Sequence, residues 1–442
     1  MGLSQCPTSD IVLTTQAEVD NFAANYPGCT MPINEIRVES TDVTNLLGFS
    51  NFTHVEDLIL FSTDIVDLSG LENVETMGKL TLWNNQGIQD LTGLDALTAL
   101  GGLEMFINNN AVSLEGMPNL QSISSMFLFE NDNLSDISQI GFVQNLSGLT
   151  LGGNNLTSLA GLENLESVDG DLQISSEAIQ NLNELSSLQN VGGSVYVQAN
   201  ESLLDISALD GLNTLEDLFI TENYDLVNLS GLENITTITG RLRIGYNSEI
   251  TNLSFLSNLT FVNFLDIYDN DNLTSLDGLE NLGIINERLL IISNPSLNDV
   301  SALSDVSSLQ LEELALANNV NLAVCANPFL CGVVSDASIT KSIGNNATGC
   351  SSVEEIQDSC LLATNDFELS NIGIMPNPVS DILTVHAEGT IVIERMEIHS
   401  LLGQKLSQTT ERIVDASHLA QGIYLLTIHT DRGIVTRKFV KE

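Results

Sequence analysis

One phrase, Leu-x-Leu/Ile-x-x-Asn, returns along most of this chain. Its first position falls at Ile36, Leu58, Leu80, Leu103, Met126, Leu149, Leu172, Val195, Leu218, Leu242, Leu265, Leu289 and Leu314, in steps of 22 to 25 residues. Thirteen units at so even a period restrict the fold to a repeat array, in which each unit is one turn of a coil and stacking supplies the stability. Apolar residues alternate within each unit, as in Leu80 and Leu82, Leu172 and Ile174, or Leu265 and Ile267. That spacing predicts a short strand with one face in the core. At ~4.8 Å per strand the array makes a sheet on the order of 60 Å long.

Five residues after the first apolar position stand Asn85, Asn108, Asn131, Asn154, Asn200, Asn223, Asn247, Asn270, Asn294 and Asn319; Thr41, Thr63 and Glu177 hold that place in three units. A buried amide both donates and accepts, so the column reads as a structural ladder serving the backbone where the chain turns away from the strand. Leaving such a backbone group unpaired costs about 1–3 kcal/mol. A second phrase, Leu-Ser-Gly-Leu-Glu-Asn-(Leu/Val/Ile), occurs at Leu68–Val74 and Leu229–Ile235 and, varied, at Leu276–Leu282. Its leucines fill the other sides of the coil, and its glycine permits a tight bend.

Units such as Leu229–Asn247, LSGLENITTITGRLRIGYN, resemble bacterial leucine-rich repeat proteins of the receptor L-domain type. The resemblance covers residues 33–322. It implies a β-rich, right-handed single-strand solenoid of about 13 rungs and leaves the ligand open, because such solenoids host many binding functions.

An array needs its terminal cores covered. The six cysteines sit only near the two ends: Cys6 and Cys29 in front, Cys325, Cys331, Cys350 and Cys360 behind. This distribution predicts disulfide-stapled caps in an oxidising compartment. Met1-Gly2-Leu3-Ser4 runs straight into polar sequence; the cysteines favour a leader already removed over a cytosolic chain. Cys6 and Cys29 flank an expected helix opened by the capping box Thr15-x-x-Glu18, with Val19, Phe22, Ala23 and Tyr26 on one side. The rear four allow three pairings, of which Cys325–Cys350 with Cys331–Cys360 is preferred and the others stay open. A short helix opens at Ser352-x-x-Glu355. The rear spacing lacks a CxxC pair and a nearby histidine, against zinc.

After a polar stretch, Ala363–Asn371, the period stops. Alternating strands separated by glycine turns predict a β-sandwich of roughly 70 residues. Asn377-Pro378, Gly403, Gly422-x-Tyr424 and the closing Lys438-Phe439-Val440-Lys441 resemble the C-terminal sorting domain of the type IX secretion system of Bacteroidota. That resemblance implies handling by the secretion machinery, export across the outer membrane, and removal of the tail with release or attachment to surface lipopolysaccharide. The expected organisation is an N-terminal cap (1–32), solenoid (33–322), disulfide cap (323–362), linker (363–371) and sorting domain (372–442).

Charge separates the same two parts. Of 58 acidic and 13 basic residues, the first 363 positions hold 48 and six, a net −42, while the tail is close to neutral. A phosphate backbone would be repelled, so nucleic acid is excluded as a partner. No stretch approaches the ~20 apolar residues of a membrane helix. His54 is the one histidine before residue 364, and no cysteine lies between the caps, so no enzyme is read here. No cofactor or metal is assigned. Asp269-Asn270-Asp271-Asn272 and Glu130-Asn131-Asp132-Asn133 could coordinate calcium, but they lack EF-hand spacing and arise wherever the ladder asparagine meets an acidic loop.

Strand geometry turns the residues one and three places after each first position outward. The third-place column presents Phe61, Trp83, Phe106 and Phe129 in succession, with Ile59 and Phe127 beside them; Tyr196 and Phe219 form a smaller pair further along. Such a stripe either stabilises the sheet by cross-strand stacking or marks an interface. The functional expectation is a secreted or surface protein that binds protein or glycan through Phe61, Trp83, Phe106, Phe127, Phe129 and Ile59. The alternative is a self-assembling surface-layer scaffold.

Overall fold

A computed structural model describes residues 6–307, 310–370, 372–386, 391–400, 404–431 and 433–442, with 362–370 and 433 given by their backbone. The chain divides into two compact units, Met1–Ser352 and Val353–Glu442.

The first unit is a parallel sheet of sixteen strands, fifteen of them on one continuous path. The apolar first positions lie directly opposite one another in every successive pair. Ile36 faces Leu58, Leu80 faces Leu103, Leu172 faces Val195, and Leu289 faces Leu314. The first and third apolar residues are almost wholly buried, Leu80, Leu82, Leu265 and Ile267 among them. Two strands lie outside the periodic text. Ile11–Leu13 adds to the front of the sheet and Thr340–Gly344 to the back, so both caps contribute a strand.

The asparagine column is a continuous hydrogen-bond ladder. Asn108 is typical: its Nδ2 donates to the Leu82 carbonyl at 2.9 Å, and its Oδ1 accepts the Asn85 backbone N–H at 2.9 Å. In front, the Thr63 N–H and hydroxyl both donate to Asn85 Oδ1, at 3.0 and 2.7 Å. Thr41 is exposed and Glu177 points to solvent. At the Glu177 rung the inward place passes to Ser176, whose N–H donates to Asn200 Oδ1 at 2.7 Å. Its hydroxyl lies 3.0 Å from the carbonyls of both Asn154 and Leu156. At the back Asn346 extends the ladder, accepting the Asn319 N–H at 3.0 Å and donating to Leu316. The residue before Thr63 and before each ladder asparagine is left-handed, including Ser62, Asn84, Glu130 and the β-branched Ile107 at φ 56°.

The second phrase acquires a role for each polar letter. Gly70 has φ 111°, and a Cβ there would lie 2.2 Å from the Leu46 carbonyl oxygen of the preceding rung. Its N–H donates to Glu72 Oε2 at 2.9 Å, and Asn73 Nδ2 donates to the Ser50 carbonyl at 2.9 Å. The same pair of bonds recurs at Glu233 with Asn234 and at Glu280 with Asn281.

In the front cap Thr15 and Glu18 form the capping box, but the helix breaks at Asn21 into Gln16–Asp20 and Phe22–Asn25. Val19 and Phe22 are buried; Ala23, expected on the same side, is exposed because the break rotates it outward. Phe22 packs edge-on against the stacked rings of Phe49 and Phe52. The Cys6–Cys29 and Cys325–Cys350 disulfides are formed, and Cys331 and Cys360 are also disulfide-bonded. A helix absent from the sequence reading, Pro328–Ser335, buries Phe329, Leu330, Val333 and Val334. Asn327 caps it by accepting the Leu330 N–H, with proline in the first turn.

The second unit opens with the helix Val353–Ser370, which runs on through most of the stretch expected as linker. Its remaining strands form antiparallel sheets of three and four strands. Leu383, Val385, Met396, Ile398, Leu426, Ile428 and Phe439 fill the core between them.

Candidate functional site

The parallel register makes columns of the outward residues. Phe61, Trp83, Phe106 and Phe129 face one another on consecutive strands, and Phe127 is opposite Glu104. The rings form an unbroken series. Phe61 meets Trp83 edge-on at 5.6 Å, Trp83 lies 5.4 Å from Phe106, Phe106 stacks on Phe127 at 4.8 Å, and Phe127 lies 6.0 Å from Phe129. Arg37 caps the front of the series, 5.0 Å above the Phe61 ring. At the other end Phe129 lies over Gly152, where a Cβ would be 2.6 Å from the ring. The phenylalanines and Ile59 are half-buried, while Trp83 remains 45% exposed. Between Ile59 and Phe127 the neighbouring column is polar: the Thr81 hydroxyl donates to Glu104 at 3.0 Å, and Lys79 pairs with Glu104 at 3.6 Å.

A second constellation, missed in the sequence, lies further along the same face. Asp266 is 2% exposed and is surrounded by Arg241, Arg243 and Arg288 at 3.5, 3.4 and 2.6 Å. The strands of Thr237–Gly245, Phe261–Tyr268 and Ile284–Ile292 bring these residues together. Aromatic rings sandwich the arginines: Arg241 lies 5.0 Å over Phe264 and Arg243 5.2 Å over Phe219, which stacks on Tyr196 at 4.8 Å. Half of the six basic residues before position 364 are in this cluster, a signal the sequence held once positions were converted to columns.

The other singled-out residues have mainly structural surroundings. Asn131 and Asn270 are fully buried in the ladder, which turns them away from the flanking acids. Nearby, Asp269 accepts from the exposed Tyr246 and holds its phenol above the usual range, chiefly through its charge. His54 Nδ1 is 2.7 Å from the Thr76 hydroxyl and its Nε2 faces Glu56.

In the second unit Asn377 clamps the last strand, Gly433–Lys441. Its Nδ2 donates to the Lys438 carbonyl at 3.0 Å, and its Oδ1 accepts the Val440 N–H at 2.9 Å. Pro378 follows directly. Gly422 opens the facing strand opposite Lys441. Tyr424 stacks on Phe439 and its hydroxyl donates to the Ala420 carbonyl at 2.9 Å. Lys438 is exposed, and Gly403 lies outside the described residues.

Residues 234–343 match the Receptor L domain family, and residues 373–442 match the secretion system C-terminal sorting domain family. No curated protein matches the chain. No helix among the described residues is long and apolar enough to cross a membrane. The chain is an L-domain-like solenoid protein with a type IX secretion sorting tail, exported to the cell surface or released from it.

Proposed function

We propose that the solenoid is a displayed binding module, which takes a protein or glycan ligand on the aromatic stripe and so mediates adhesion or capture outside the cell. Trp83 supports this reading most. Cross-strand ring pairs stabilise a sheet by ~0.2–1 kcal/mol each, which accounts for the contacts among the phenylalanines. It does not account for the largest apolar side chain standing 45% exposed at the crest of the series. Tryptophan is the residue type most enriched at contact hot spots, and a contiguous apolar patch on a sheet face is a feature of interfaces. The reading needs no metal, cofactor or catalytic group. Export would leave the solenoid outside the cell, with the tail removed or used for attachment to surface lipopolysaccharide.

The test is a glycan and protein binding screen of the full chain beside its Trp83→Ala/Phe106→Ala variant. A ligand whose affinity falls at least about tenfold in the variant supports the proposal. Unchanged binding overturns it. Concentration-dependent self-association lost in the same variant, with no other ligand found, would replace it by the scaffold alternative.

A further inference from the structure

We propose that Arg241, Arg243 and Arg288 form a second binding site, for a carboxylate-bearing saccharide, independent of the aromatic stripe. The first argument is an excess of guanidinium groups. Arg288 alone satisfies Asp266, with Nη2 at 2.7 and 2.6 Å from its two oxygens and Nε at 3.1 Å. A carboxylate accepts such a bidentate fork as a complete partner. Arg241 and Arg243 make only longer approaches to Asp266, at 3.5 and 3.4 Å, so their guanidinium donors are largely unspent. Their side chains are 31% and 32% exposed, within reach of a ligand.

The second argument is charge. The acids close to the cluster are Asp266, Asp269 at its rim, Asp217, whose carboxylate accepts the Arg241 N–H and the Ser194 hydroxyl, and Glu313, opposite Arg288 on the next strand. Three of the six basic residues in the first 363 positions gather here, against a net charge of −42 over those positions. An anion meets guanidinium donors here and mostly acid elsewhere along the solenoid, which makes the surrounding charge a filter.

The third argument is shape. Arg243, Asp266, Tyr268, Arg288, Leu290 and Ile292 line a hollow of about 370 Å³. This is the size of a small-ligand pocket rather than an extended interface. Tyr268 lies over Gly245, where a Cβ would be 2.4 Å from the ring, so the rung was kept bare for it. The parallel Tyr196–Phe219 pair, with Arg243 over the Phe219 ring, holds that guanidinium in place beside the hollow. Cations for a carboxylate next to the Tyr268 ring, Leu290 and Ile292 for the C–H side of a pyranose fit an acidic sugar. An extended peptide would seek an unpaired strand edge, and these strands are paired on both sides.

The experiment titrates the full chain with oligogalacturonate and with the same oligosaccharide methyl-esterified, which keeps the rings and removes the charge. Calorimetry at about 0.15 M salt reads the affinities. The acid form should bind at least about tenfold more tightly than the ester. The Arg241→Gln/Arg243→Gln variant, which keeps the Arg288–Asp266 pair, should lose at least that factor with an unchanged melting curve. Trp83→Ala/Phe106→Ala should bind the acid form as the parent does. Absence of binding, equal binding of acid and ester, or equal binding by the arginine variant overturns the proposal. Arginine-dependent binding of oligoglutamate without oligogalacturonate would overturn it in favour of an acidic peptide. The acid-against-ester comparison needs no variant, so a variant that fails to fold leaves the proposal open to refutation.

Discussion

Replacing Asn108 by alanine removes two polar partners from a place that water does not reach. The Leu82 carbonyl loses its 2.9 Å donor and the Asn85 N–H loses its 2.9 Å acceptor, and both asparagines are 0% exposed. Each orphaned backbone group costs about 1–3 kcal/mol, so the substitution should cost roughly 2–6 kcal/mol. A solenoid distributes such a loss between neighbouring rungs, and a global melting curve alone would blur it. The informative assay therefore joins denaturant unfolding to amide exchange resolved by residue. Asn108→Ala should lower stability by that amount and speed exchange at Asn85 above all other amides. Asn108→Asp keeps the acceptor for Asn85 but removes the donor to Leu82, and should spare the Asn85 amide while still destabilising. A loss below about 1 kcal/mol, with Asn85 protection unchanged, would refute the claim that the ladder holds the inward turn.

Three further outcomes follow from local geometry. Gly70→Ala should destabilise the array by more than about 1–3 kcal/mol, the cost of a strained backbone residue, because its Cβ would also strike the Leu46 carbonyl at 2.2 Å; thermal unfolding measures it. Ile107→Asn should raise stability by about 1 kcal/mol, since a β-branched residue at φ 56° gives way to one that tolerates the left-handed region. Unfolding of the purified chain would show the gain. Asn377→Ala should free the end of the last strand from its two clamping hydrogen bonds and reduce export, read as the fraction of chain outside the cell.

The solenoid was legible because its period is a physical register. All thirteen apolar first positions, Ile36 to Leu314, stand in line across the sheet, since a one-residue slip would turn every buried side chain outward. What escaped lies where the period lapses. The strands Ile11–Leu13 and Thr340–Gly344 join the sheet from the caps, with no repeat text around them. Ser176 takes the inward place one residue early: its N–H donates to Asn200 Oδ1, and its hydroxyl donates to the Asn154 and Leu156 carbonyls, a different pair of contacts from those of the ladder amides. Helix Val353–Ser370 crosses a stretch whose polar composition resembled a linker. The aromatic column could be written out directly from the register. The arginine cluster could not be seen as a cluster in the linear text: 241, 243 and 288 converge only when the three consecutive rungs are stacked, and Asp266 on the middle one is then enclosed.

The chain contains a single tryptophan, and it is the exposed crest of the proposed binding surface. Its emission therefore reports directly on the central claim. With a ligand identified by the binding screen, titration into the full chain should shift Trp83 fluorescence with the same dissociation constant that calorimetry gives, and Phe106→Ala should weaken both together. Saturable binding by calorimetry that leaves Trp83 emission unchanged, with parental affinity in Phe106→Ala, would contradict the account and move the ligand off the aromatic stripe.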